Sequence, residues 1–164
     1  MIGVMSVVVR LLREDEGRIY LEIINSAIRG IASHSYPANI VDAWVHPITD
    51  ESLARLNDNR DNEIRLVAEV DGAPVAIGAL VVADSQLRAC YVSPSAARRG
   101  CGSAIVKEIE RIARENGLTH LDLHASINAE PFYAAHGYTV SERCEHVLRS
   151  GVRMAAVAMT KQLV

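Results

Sequence analysis

Aromatic side chains are scarce in this 164-residue chain, at 4% of positions, with one Phe and one Trp, and the formal charge is −3. Neither a platform for stacking bases nor a basic surface that follows phosphates is present, which argues against nucleic acid as a partner. Cysteine is equally sparse. Cys90, Cys101 and Cys144 are odd in number, far apart and without a C-x-x-C pair, so neither a disulfide framework nor a zinc site is expected, and a reducing cytoplasm is the simplest location. No uncharged apolar run approaches the roughly 18 residues of a membrane span. The apolar Met1 to Leu12 stretch has no basic residue ahead of its apolar run and passes into Arg13-Glu14-Asp15-Glu16, so it reads as a first strand rather than a leader. The length suits one domain over 1–164, and 49% hydrophobic residues suffice for its core.

The remaining residues alternate between strand and helix patterns. Ser6 to Leu12 is β-branched. Tyr20, Ile24, Ala27, Ile28 and Ile31 fall at helical spacing behind an acidic first turn, and Tyr36-Pro37 ends that helix. Ile40, Val41 and Trp44 predict a second short helix, and Thr49 to Leu56 another turn capped by Thr49 or Asp50. Glu63 to Val70 and Ala73 to Ala83 form a hairpin at Asp71-Gly72, followed by a strand over Gln86 to Val92. Ile105, Ile109, Ile112 and Ala113 share one face of a helix that Asn116-Gly117 stops. Leu118 to His124, a short helix over Asn128 to His136, and a hairpin of Tyr138 to Cys144 with Val152 to Met159 around Arg149-Ser150-Gly151 complete the chain. The fold class is α+β, a mixed sheet that is mostly antiparallel with one parallel, right-handed βαβ step, flanked by helices.

The loop at that parallel step carries the chemistry. Between Val92 and Ala104 a basic, glycine-bearing segment joins a strand to a helix, and the free N–H groups of a helix start, with their partial positive charge, suit a diphosphate. Gly100 and Gly102 are expected to let the backbone approach the phosphates. Asp122 lies about twenty residues onward, as the ribose-binding acid of a dinucleotide fingerprint would. The loop departs from that fingerprint, however: its glycines stand well beyond the strand end, and Ile105 occupies the place of the third.

Tyr91-Val92-Ser93-Pro94, the Arg98-Arg99-Gly100-Cys101-Gly102-Ser103 loop and the later Ser126-Ile127-Asn128-Ala129-Glu130-Pro131-Phe132-Tyr133-Ala134-Ala135-His136-Gly137-Tyr138 together resemble the GCN5-related N-acetyltransferases, most strongly from Val67 to Tyr138. The first position of that family's loop pattern falls on Ala97 instead of Arg or Gln, a departure that main-chain phosphate binding tolerates. The resemblance implies acetyl-coenzyme A as cofactor, held by Tyr91, Val92, Ala97, Arg98, Arg99, Gly100, Cys101, Gly102, Ser103 and Asn128. Two parted parallel strands would take its pantetheine arm, with amides of Tyr91 and Val92 pairing to it and serving as oxyanion donors.

Acetyl transfer to an amine needs a neutral amine, stabilised negative charge on the acyl oxygen and a proton for the departing thiolate. The resemblance places Tyr133 as that proton donor, a phenol of pKa about 10 facing a thiol of about 8.5. Asn128 is also placed to cap its helix. Glu69, His120, His124 and His136 are the candidate bases, although His120, Asp122 and His124 alternate on one face and would equally make a polar row beneath a helix. A thiol nucleophile at Cys101 or Cys90 is the covalent alternative, but Cys101 shares the apolar face with Ile105 and is expected in the core. Arg29, Tyr36 and Trp44 come from the segment that borders the acceptor pocket in the resembled fold. The expected activity is transfer of acetyl to a small-molecule or peptide amine by direct attack, and the other reading is an acyl-coenzyme A sensor without turnover. The C-terminal strands offer an edge through which two copies could pair.

Overall fold

A computed structural model describes residues 6–164; Met1 to Met5, the start of the apolar N-terminal stretch, lie outside them. The strands are β1 (Val7–Leu11), β2 (Ile64–Val70), β3 (Ala73–Val81), β4 (Gln86–Val92), β5 (His120–Ser126), β6 (Thr139–Val147) and β7 (Arg153–Gln162). The helices are α1 (Gly17–Gly30), α2 (Ala38–Trp44), α3 (Asp50–Asp58), α4 (Cys101–Glu115) and α5 (Glu130–Ala135). One sheet runs in the order β1-β2-β3-β4-β5-β7-β6, antiparallel at every contact but β4 with β5. It is the mixed α+β arrangement that the sequence predicts. No helix among the described residues is long and apolar enough to cross a membrane.

Alternation along the strands divides the core in two. Leu66, Ala68, Ala76, Leu80, Leu121 and Leu123 meet Ile105, Val106, Ile109 and Ala113 of α4. On the opposite face Val67 and Ile77 meet Ile24 and Ile28 of α1 and Ile40, Val41 and Trp44 of α2. Helix α4 sits close to the sheet because Gly78 of β3 offers no side chain: a Cβ there would overlap Ile105 Cγ2 and come within 3.0 Å of Ile109 Cδ1.

Local signals account for the boundaries. Asp71 and Gly72 both adopt positive φ, 51° and 81°, as a two-residue hairpin turn with the twist of its strands requires. Thr49 Oγ1 accepts from Ser52 N at 3.1 Å, so Thr49 rather than Asp50 caps α3. The fifth strand begins at His120 and not at Leu118, because Leu118 N donates to Ala113 O and Gly117 N to Arg114 O, which spends Leu118 on closing α4. His120, Asp122 and His124 do share a face, but no helix covers it; Asp122 and His124 are exposed. The acidic turn Glu14–Glu16 is a 3-10 turn ahead of α1. Its Glu16 takes both terminal nitrogens of Arg10 at 2.7 Å, and Arg10 Nε donates to Glu69 at 2.5 Å.

Two outcomes are expected. Gly78→Ala should lower the unfolding free energy by about 1–3 kcal/mol through overpacking against Ile105, read from the denaturant midpoint; an unchanged midpoint would contradict the close approach. Hydrogen bonding from Arg10 lowers the Glu16 pKa to about 2. A depressed carboxylate stabilises the fold above its unfolded pKa and loses that contribution as pH falls toward 2. Glu16→Gln should therefore be less stable than the parent at pH 7 and converge with it near pH 2, as followed by thermal melts.

Candidate active site

The parallel strands part almost at once. They share one bridging pair, Gln86 with Asp122, supported by Asp122 N donating to Ser85 O at 2.8 Å. Beyond it β4 and β5 diverge, and a cavity of about 1020 Å³ opens, lined at the divergence by Cys90, Tyr91, His124, Ser126, Ala129 and Tyr133. A register shift in the β3–β4 pairing leaves Arg88 as the extra residue, since Ala79 pairs with Ala89 and Leu80 with Leu87. The bulge re-aims the strand. Leu87, Cys90 and Val92 face α4, whereas Ala89 and Tyr91 face α1 and α2.

The same register tells which main-chain groups are open. Ser93 N donates to Val75 O at 2.8 Å, so alternation turns the Tyr91 amide toward Ile77 of β3 and the Val92 amide and carbonyl toward the parting. Of these two sequence-predicted residues, Val92 presents its backbone to the gap, and Tyr91 contributes its side chain to the cavity wall.

The loop from Ser93 to Gly100 packs as a 3-10 turn at Pro94–Ala96, then bends through positive φ at Arg98, 62°, and Gly100, 83°, before α4 starts at Cys101. First-turn amides of Cys101, Gly102 and Ser103 have no intrahelical partner, and they gather at the end where the macrodipole is positive. A Cβ on Gly100 would meet nothing within 4 Å, so the approach there is open. Gly102 has a packing part besides the one expected from the sequence: a Cβ would lie 3.1 Å from Phe132 Cζ and 3.3 Å from Val92 Cγ2. Its smallness lets α5 and β4 close on the helix start. Cys101 is buried, its thiol raised above the usual value by desolvation, and in the same divergence Cys90 is pushed up by burial to about 12. Both thiols stay protonated at neutral pH and are poor nucleophiles.

Tyr133 is buried on α5, with ring edges against Phe132 and Tyr138 at centroid distances of 5.1 and 5.8 Å. Its hydroxyl has no hydrogen-bond partner among the described residues, and desolvation holds its pKa well above the ordinary phenol value. Asn128 does not cap the helix. It lies within the 3-10 turn Ile127–Ala129 that follows β5, and its Oδ1 is buried without a partner. A buried amide oxygen left unpaired is costly in an isolated fold and marks a place where a donor is missing.

Of the four candidate bases, His124 alone lines the cavity. Glu69 is consumed by Arg10 at the other end of the sheet, His120 stands 3.4 Å from Asp122, and His136 bonds Phe132 O and Ser103 Oγ. Trp44 lines the cavity, its ring edge-on to Tyr91 at 6.4 Å. Tyr36 instead donates to Ala155 O at 2.5 Å and accepts from Ile127 N at 2.8 Å, tying β7 to the turn after β5, and Arg29 faces Asp42 at 3.6 Å on the surface.

Sequence reasoning passes over His46 and the arginine cluster. Asn25 grips both the amide and the carbonyl of His46 at 2.7 Å, which fixes that residue at the cavity rim. Desolvation, then the charge of Arg149, lowers the His46 pKa, so the ring is neutral at pH 7. Arg88 donates to Asp61 at 2.6 Å and to Glu63 at 3.2 Å, and Arg65 to Glu63 at 2.8 Å, forming a paired wall. No period or spacing links these residues; only the fold brings them together.

Comparison with known proteins agrees with this architecture. The acetyltransferase (GNAT) domain family matches residues 32–163. The uncharacterized N-acetyltransferase YjcF of Bacillus subtilis (strain 168) is 34% identical over 86 residues, which cover 51% of this chain and 61% of that protein. A GCN5-related N-acetyltransferase from Rhodopseudomonas palustris superposes with a TM-score of 0.87 at 26% identity over 98% of both chains. The yncA acetyltransferase structure from Salmonella typhimurium, solved with acetyl-CoA, has a TM-score of 0.71 at 18% identity, covering 97% of this chain and 95% of that one, a likeness of fold. With its domain match spanning most of the sequence and the strand parting in place, the chain belongs to the GNAT acetyltransferase family.

Proposed function

We propose that the protein is an acyl-coenzyme A-dependent N-acyltransferase that moves acetyl from acetyl-CoA to a primary amine by direct attack within a ternary complex. The observation that carries this reading is Tyr133, a buried side chain whose hydroxyl stays protonated and without a partner among the described residues, on the wall of the cavity where β4 and β5 part. Acetyl-CoA, when bound, supplies an activated thioester.

The residues present fit that cofactor. Amides of Cys101, Gly102 and Ser103, with the neighbouring Arg98 and Arg99, would hold its diphosphate, and Ala97 and Gly100 shape the loop around it. The Val92 backbone would pair with an extended amide arm as a missing strand does, and the unpaired Asn128 Oδ1 would accept from an amide N–H on the other side. The Val92 N–H also faces the region where negative charge would grow on an acyl oxygen.

Burial decides the proton's direction. A phenol raised well above 10 would be a weak acid toward an aqueous thiolate, but a thiolate in this gap is not aqueous: the Cys90 thiol beside it is pushed to about 12 by desolvation alone. A leaving thiolate there is a stronger base than in water, which offsets the raised pKa of the phenol that would donate to it. Neutral His46 stands at the cavity rim as an acceptor for the amine's proton, and His124 lines the same wall. Holding amine and acyl group together contributes up to about 7–11 kcal/mol in well-oriented systems, so no strong base is required.

Thiol release from acetyl-CoA with a panel of primary amines tests the assignment. Tyr133→Phe should bind CoASH within about twofold of the parent and lose roughly 100-fold or more in kcat; unchanged turnover removes Tyr133 from its role. Tight binding by the parent with no release for any amine would make the protein an acyl-coenzyme A sensor instead. Asn128→Leu separates fold from ligand: removing an orphaned acceptor should leave thermal stability equal or higher, while CoASH affinity in calorimetry falls by about 0.5–1.5 kcal/mol. Loss of stability with unchanged affinity would place Asn128 in the fold alone.

A further inference from the structure

His136 is a candidate base that the cavity does not use, and its two ring nitrogens have unlike partners. Nδ1 lies 2.8 Å from Phe132 O, and Nε2 lies 3.0 Å from Ser103 Oγ. A carbonyl oxygen only accepts, so Nδ1 carries a proton in either charge state. In the neutral ring Nε2 is therefore the acceptor, and the Ser103 hydroxyl must spend its single proton on it. Ser103 stands in the first turn of α4, beside the unpaired amides of the diphosphate cradle. With its proton turned toward His136, it offers an arriving phosphate only lone pairs.

We propose that His136 is a positioning residue for the cradle, taking up one proton at Nε2 as coenzyme A binds so that the Ser103 hydroxyl turns and donates to the diphosphate. This rests on the cofactor reading above. The balance is simple. A proton from bulk solvent joins the Nε2 lone pair, the new Nε2–H donates to Ser103 Oγ, and the hydroxyl, its O–H bond intact, turns its hydrogen bond from Nε2 to a phosphate oxygen. No covalent bond between heavy atoms changes.

The surroundings accommodate the added charge. His136 is the C-cap residue of α5, bonded to a carbonyl of that helix's last turn, and its ring stacks obliquely on Phe132 at 4.6 Å between centroids. Gly102 holds the same Phe132 against the helix start, which fixes the spacing of ring, hydroxyl and cradle. Two carboxylates of these elements are already engaged, and the charges nearest in sequence to the cradle are cationic. Glu130 of α5 pairs with Arg143 of β6 at 2.8 Å, Glu110 of α4 pairs with Lys161 of β7 at 2.7 Å, and the loop and α4 add Arg98, Arg99 and Lys107. No carboxylate among the described residues pairs with His136, so the arriving diphosphate is the anion that its charge would meet.

Calorimetric titration of the full chain with CoASH at one pH, in HEPES, imidazole and Tris, reads proton uptake as the dependence of heat on buffer ionisation enthalpy. The parent should take up more protons than either Ser103→Ala or His136→Gln; the 3′-phosphate of the ligand titrates alike in all three, so the difference is the readout. His136→Gln presents a permanent N–H to Ser103 and should bind CoASH within a few-fold of the parent. Ser103→Ala should bind roughly three- to tenfold more weakly. Equal proton uptake by all three proteins overturns the proposal while leaving the cofactor assignment standing. Absence of CoASH binding by the parent removes both.

Discussion

Among the described residues a single bridging pair, Gln86 with Asp122, links β4 to β5, and the site follows from their parting. A β-strand that loses its neighbour leaves N–H and C=O groups that must find other partners. On β4 the bulge at Arg88 and the pairing to β3 select Val92 as the residue whose backbone faces the gap. The rest of the fold keeps that gap from closing. Helix α4 is seated over β3 through Gly78, and its first turn is packed against α5 through Gly102 and Phe132, so the amides of the first turn and the helix that carries Tyr133 are held side by side.

Desolvation is the second organising term, and it acts on chemistry rather than on shape. The same burial that keeps Cys90 and Cys101 protonated, and so inert as nucleophiles, keeps the proton on Tyr133. At the rim it keeps His46 neutral, with help from Arg149. Acids held protonated inside and an imidazole held neutral at the edge are the two proton states that the proposed transfer calls for.

The sequence was most informative where a signal is local. Asp71-Gly72, Asn116-Gly117 and the Ile105, Ile109, Ala113 stripe correspond to a turn, a helix stop and a buried face in the structure. It was less informative where a residue's partner is distant. Leu118 reads as strand because its apolar side chain fits one, yet its amide closes the preceding helix. Gly102 reads as phosphate-facing, and nothing local shows that its lack of a side chain also serves Phe132, thirty positions onward in the chain. Asn128 has the composition of a cap but not the geometry. His46 and Arg88 left no pattern to find, since Asn25, Asp61 and Glu63 reach them only through the tertiary fold.

The central claim is that the parted strands and the first turn of α4 together receive coenzyme A. Amide hydrogen exchange, measured with and without CoASH, tests it at the groups concerned. The account predicts slowed exchange at Val92 and across Gly100 to Ala104 on adding the ligand, with the β1–β2 pairing at the far end of the sheet unaffected. Unchanged exchange at Val92 and in the first turn of α4, under saturating CoASH, would contradict it.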